Sequence, residues 1–75
     1  MNIIFVNQST STNQFVIFDE NDGDAIIFNE NIEPWGERNI QCLMNDSEYG
    51  NIKFSMNNHI PEFRSLIKDG DRIIA

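Results

Sequence analysis

Residues 39–56 read NIQCLMNDSEYGNIKFSM. In Asn39–Met44, residues Ile40, Cys42 and Met44 share one face. In Asn51–Met56, residues Ile52, Phe54 and Met56 share one face while Lys53 and Ser55 take the other. A period of two marks a strand with one face covered and one face wet. The intervening NDSEYG is built of turn formers and closes on Gly50. The two segments are therefore predicted to pair as a hairpin.

Upstream lie three apolar quartets, Ile3–Val6, Phe15–Phe18 and Ala25–Phe28, with starts 12 and 10 residues apart. Runs this short, rich in β-branched and aromatic residues, read as strands, and the spacing suits an antiparallel meander. Downstream, Phe63, Leu66 and Ile67 recur at helical spacing. Asn58 or His59 could cap a helix there, Pro61 suits its first turn, and Asp69-Gly70 would end it. Residues 72–75 read as a closing strand. The expectation is one mainly β domain over residues 1–75. It would be a small antiparallel sandwich or barrel-like fold of about six strands, with one short helix before the last (βββββαβ).

Charge is distributed unevenly. The net charge is −7, and residues 1–37 hold Asp19, Glu20, Asp22, Asp24, Glu30, Glu33 and Glu37 with no Lys or Arg. Residues 38–75 hold five acids and five bases, Arg38, Lys53, Arg64, Lys68 and Arg72, and are neutral. Such asymmetry points to a partner of opposite sign or to bound cations. It argues against direct nucleic-acid binding, since phosphates would be repelled. The single cysteine, Cys42, excludes an intrachain disulfide and suits a reducing compartment. The start of the chain, MNIIFVNQST, lacks a basic leader, and no apolar run exceeds four residues. A cytoplasmic protein is therefore expected, in the host cytoplasm if phage-encoded.

Candidate chemistry is sparse. Asp19–Glu30, DENDGDAIIFNE, matches a twelve-residue calcium loop at Asp19, Asn21, Ile26 and Glu30. It fails at Gly23, where a ligand is needed, and at Asp24, where glycine is needed. Its leading flank reads as strand rather than helix. A looser calcium site on Asp19, Asn21, Asp22 and Asp24 remains the alternative, with a plain hairpin loop the simpler reading. His59 has no companion at metal-ligand spacing, and Cys42 lies on an apolar strand face. Ser9, Thr10, Ser11 and Thr12 form a polar loop without a base, and Glu33 and Glu37 flank Pro34-Trp35-Gly36. No catalytic set is predicted from these. Trp35 sits between Pro34 and Gly36 amid carboxylates. It reads either as a cover for the core or as an exposed anchor for a partner.

Residues 40–75 resemble one Greek-key motif of the βγ-crystallins. Tyr49-Gly50 matches its aromatic-glycine hairpin, Ile52–Phe54 the following strand, Ile60-Pro61-Glu62-Phe63 its turn, and Asp71-Arg72-Ile73 its last strand. The resemblance implies a β-sandwich. The family's calcium motif has paired Ser or Thr where Ile74 and Ala75 stand here. In size, charge and composition the chain also resembles small acidic phage inhibitors of host nucleic-acid enzymes, including anti-CRISPR proteins and other DNA mimics. The functional expectation is a non-enzymatic interaction protein without a cofactor. It would dock on a basic, nucleic-acid-binding surface through Asp19, Glu20, Asp22, Asp24, Glu30, Glu33 and Glu37, with Trp35 as apolar anchor. The alternatives are a calcium-binding crystallin-like module and a structural, self-associating β domain, including a homodimer.

Overall fold

A computed structural model describes residues 1–75. The strands are β1 (Asn2–Val6), β2 (Asn13–Asp19), β3 (Ala25–Ile32), β4 (Glu37–Gln41), β5 (Gly50–Met56), β6 (Glu62–Ile67) and β7 (Arg72–Ile74). They form two sheets, β4-β1-β7 and β3-β2-β5-β6. The three upstream quartets are strands as the sequence indicates, but they do not form one meander. β2 and β3 pair antiparallel, whereas β1 belongs to the other sheet.

The expected hairpin of residues 39–56 does not form. β4 pairs with β1, in register Ile3↔Ile40, and β5 pairs with β2 and β6. The chain leaves the four-stranded sheet at Ile32, adds β4 to the other sheet, and returns as β5 beside β2. Tyr49-Gly50 therefore leads into β5 rather than closing a hairpin. Alternation fixes which face of a strand is covered, not which neighbour covers it. Gly50 is buried against the opposite sheet, where an added Cβ would lie 3.3 Å from Cys42 Sγ.

The expected helix over residues 61–68 is also absent. Its place is taken by β6, antiparallel to β5. The segment is too short to sustain a helix alone, and the open edge of β5 offers partners to one side of its backbone. Of the presumed apolar stripe only Ile67 is buried, while Phe63 and Leu66 are exposed. A bulge between Arg64 and Ile67 shifts the register, and Leu66 adopts φ 56°. The closing strand exists as β7, but it runs parallel to β1, so the sandwich is not wholly antiparallel.

The core lies between the sheets. Ile3, Phe5, Ile40 and Ile73 from one meet Phe15, Ile17, Ile32, Ile52, Phe54 and Ile67 from the other. Phe5 packs edge-on to both Phe15 and Phe54, with ring centroids 5.1 and 5.0 Å apart.

Candidate functional site

Strand directions define two ends of the sandwich. At one end β1 and β7 begin, β4 ends, β2 turns into β3, β5 begins and β6 ends. The connections 20–24, 42–49 and 68–71 are gathered there. At the other end lie the connections 7–12, 33–36 and 57–61. Seven-residue β2 alone separates the two ends by about 20 Å.

The loop after β2 is a 3-10 turn, Glu20–Asp22, followed by Gly23 and Asp24, both at φ 61°. Asp19 closes it from below. Asp19 is 1% exposed, and its carboxylate accepts from the backbone amides of Asn21 (3.1 Å) and Leu43 (2.8 Å). Asn21 donates to the carbonyls of Leu43 and Tyr49 and accepts from Asn51 Nδ2. The Asp19–Asn21 corner thus buckles the 42–49 crossover onto the four-stranded sheet. Asn45 turns that crossover, its Oδ1 accepting from the amides of Ser47 and Tyr49.

Most side-chain oxygens of the calcium alternative have protein partners. Both carboxylate oxygens of Asp19 and the side-chain oxygen of Asn21 are occupied by protein donors, and Asp24 is paired with Lys53 at 3.2 Å. Asp22 is the one proposed ligand left without a protein partner, and a calcium ion needs six or more oxygens. No three His, Cys, Asp or Glu side chains are close enough together to hold a metal ion.

The carboxylates of residues 19–37 do not share one face. Glu20, Asp22 and Asp24 stand at the first end, with Asp19 buried beneath them. Glu30, Glu33 and Glu37 lie toward the second end, and so does Trp35. Arg38 grips Glu33 at 2.7 Å, and Arg72 grips Glu37 bidentately at 3.0 and 2.9 Å, reaching across β1. Three of the seven acids are therefore neutralised by bases of the second half. The sequence count concealed this, because ion pairing follows spatial neighbours.

What gathers at the first end was spread along the chain. Of twelve carboxylates, four sit in ion pairs and Asp19 is buried. Of the other seven, Glu20, Asp22, Asp46, Glu48, Asp69 and Asp71 all lie on the three loops of this end, and all are exposed. Asp46, Glu48, Asp69 and Asp71 come from the half whose net charge is zero, so charge counting passed over them. Turn-forming residues carried the only signal: NDSEYG and KDGD both mark loops. Leu43 and Met44, each 51% exposed, stand among these acids. Glu48, Tyr49, Lys68 and Asp69 line a recess of about 380 Å³ there. Lys68 is the one Lys or Arg of the chain outside an ion pair.

At the second end, Trp35 is 58% exposed at φ 59°, so it does not cover the core. It occupies the third position of a turn closed by Gly36 N–H to Glu33 carbonyl (2.9 Å), a position that favours glycine. Asn7 holds this turn. Its backbone carbonyl accepts from Trp35 N–H, its amide donates to the Gly36 carbonyl, and its side chain donates to the carbonyls of Ser11, Ile32 and Glu33. Asn13 and Asn57 extend the chain of amides from Asn7 Oδ1. The abundant asparagines thus tie loops together. Ser9 is part of the same loop, its Oγ accepting from Ser11 N–H. Cys42 is buried, and burial, with nearby Asp19, pushes its thiol pKa up and away from nucleophilic use.

The two arginine pairs make acid stability legible. Hydrogen bonding to Arg38, aided by its own backbone amide, lowers the Glu33 pKa from 4.5 to about 2. Arg72 lowers that of Glu37 in the same way. A carboxyl that is more acidic folded than unfolded stabilises the fold above its unfolded pKa. That contribution fades as pH falls, for Glu33 between 4.5 and about 2. Melting temperature between pH 5 and pH 2 is therefore expected to fall less steeply in an R38Q/R72Q variant than in the parent. Equal slopes would show that the exposed pairs contribute nothing measurable.

No helix is long and apolar enough to cross a membrane. Comparison with known proteins finds no matching family model, no matching curated protein and no matching solved structure.

Proposed function

We propose that the protein is a non-enzymatic interaction module that occludes a basic, nucleic-acid-binding surface of another protein. One observation carries the reading: six exposed carboxylates without ion-pair partners, drawn from three loops, converge on one end of the sandwich. Carboxylates held on short loops can occupy positions that phosphates would take and pair with Arg and Lys. Leu43 and Met44 supply apolar contact within the same surface. They replace Trp35 in that role, because Trp35 stands at the other end. The binding residues are Glu20, Asp22, Asp46, Glu48, Asp69 and Asp71. Asp19 supports them from beneath and makes no contact itself.

The test is capture of basic proteins from a lysate in low salt, followed by elution with duplex DNA or with salt. Retention is expected to fall at least about tenfold between roughly 50 and 500 mM salt, because exposed charges are screened over that range. Duplex DNA should compete. An E20Q/D22N/D46N/E48Q variant should retain about a tenth as much or less, given about 0.5–1 kcal/mol for each exposed pair. Retention indifferent to salt and to DNA would sink the proposal.

A further inference from the structure

We infer that the free edge of β6 is a self-association surface that joins two copies of this chain about a two-fold axis through Phe63. β6 is the outermost strand of its sheet and pairs only with β5. Its neighbour across the sandwich, β7, is also an edge, and Arg64 Nη2 links the two by donating to the Ile74 carbonyl (3.3 Å). Four of the eight exposed large apolar side chains border this edge: Ile60 (90% exposed), Phe63 (63%), Leu66 (67%) and Ile74 (40%).

Charge selects a second copy as the occupant. β6 holds one acid, Glu62, and one base, Arg64, and so is neutral. The remainder of the chain carries the whole −7. The net charge of each copy therefore lies outside this edge, and two copies meet here without net repulsion.

The strand also selects its own register. The positive φ at Leu66 ends the extended run after Ser65. An antiparallel pairing centred on Arg64 would oppose two guanidinium groups, which is unfavourable. Centred on Phe63, the pairing stacks Phe63 on its counterpart and places Glu62 of each copy opposite Arg64 of the other. Ile60 then approaches the second copy's Leu66, beside an apolar recess of about 510 Å³ lined by Phe54, Met56, His59 and Ile60. An isologous contact of this kind closes after two copies, and the sheets join into one of eight strands.

Sedimentation at about 100 μM protein should give twice the 8.7 kDa chain mass. Phe63→Glu should weaken association at least about tenfold by opposing two carboxylates and removing the aromatic pair. Phe63 is exposed, so that variant, dilute enough to be monomeric, should keep the melting temperature of equally dilute parent. Mild oxidation of Phe63→Cys should link two copies through a disulfide, while Ile26→Cys, equally exposed on the far edge, should not link. The inference fails if the parent chain sediments at 8.7 kDa, if F63E leaves association unchanged, or if Ile26→Cys links as fast as Phe63→Cys. None of these measurements involves the acidic end or a basic partner, so this inference and the proposed function stand or fall separately.

Discussion

Phe5→Ala is expected to destabilise the domain by about 3–5 kcal/mol. Phe5 is fully buried and is the ring that joins the two sheets, touching Phe15 at 5.1 Å and Phe54 at 5.0 Å between centroids. Its loss removes the burial of a large aromatic, leaves a cavity that rigid strands cannot close, and breaks two edge-to-face contacts. A chain of this length has a total stability of only about 4–11 kcal/mol. The variant should therefore be mostly unfolded in low denaturant. Ile26→Ala, at an exposed position on the far edge, is the control and should stay within about 0.5 kcal/mol of the parent. A denaturation midpoint for Phe5→Ala close to the parent's would show that the sheets are not held through this ring.

Asp19→Ala should have the next largest effect, about 2–4 kcal/mol, although the residue lies in the most acidic stretch of the chain. The substitution removes the cap of the 3-10 turn and strands the amide of Leu43, which donates to Asp19 Oδ2 at 2.8 Å. Asn21 then loses its seat, and with it the ties to the Leu43 and Tyr49 carbonyls. Hydrogen exchange should accelerate at the Asn21 and Leu43 amides before it does at the core strands. By contrast, Asp22→Asn next door should leave stability unchanged. If Asp19→Ala unfolds like the parent, the buckle does not hold the crossover. Two carboxylates three residues apart thus separate into one that supports the fold and one that stands free in solvent, and burial distinguishes them.

The strands at the quartets and at residues 51–56 were legible because burial on one or both faces imposes a pattern on neighbouring residues, whereas the strand expected over 39–44 ends at Gln41 and leaves Met44 exposed. The helix was misread because Phe63, Leu66 and Ile67 fit a period of 3.6 by coincidence. In the strand only Ile67 of the three is buried, and the bulge before it depends on the partner strand. The hairpin was misread for a related reason: alternation in two adjacent segments does not require that they face each other. Two of the six carboxylates of the candidate site were legible. Glu20 and Asp22 stood out in a base-free stretch, whereas Asp46, Glu48, Asp69 and Asp71 lay in a half whose charges cancel in the count.

By itself the sequence determined that this is a mainly β chain, with apolar strand faces, polar turns and an acidic excess. Those properties are local, set by side-chain type and by the two-residue repeat of extended backbone. The tertiary structure alone decided which strands pair, which carboxylates are matched by Arg or Lys, and which loops meet at one end. Pairing and charge neutralisation depend on distance in space, and sequence separation does not encode it. Asp19 and Leu43 are 24 residues apart in sequence and 2.8 Å apart in the fold.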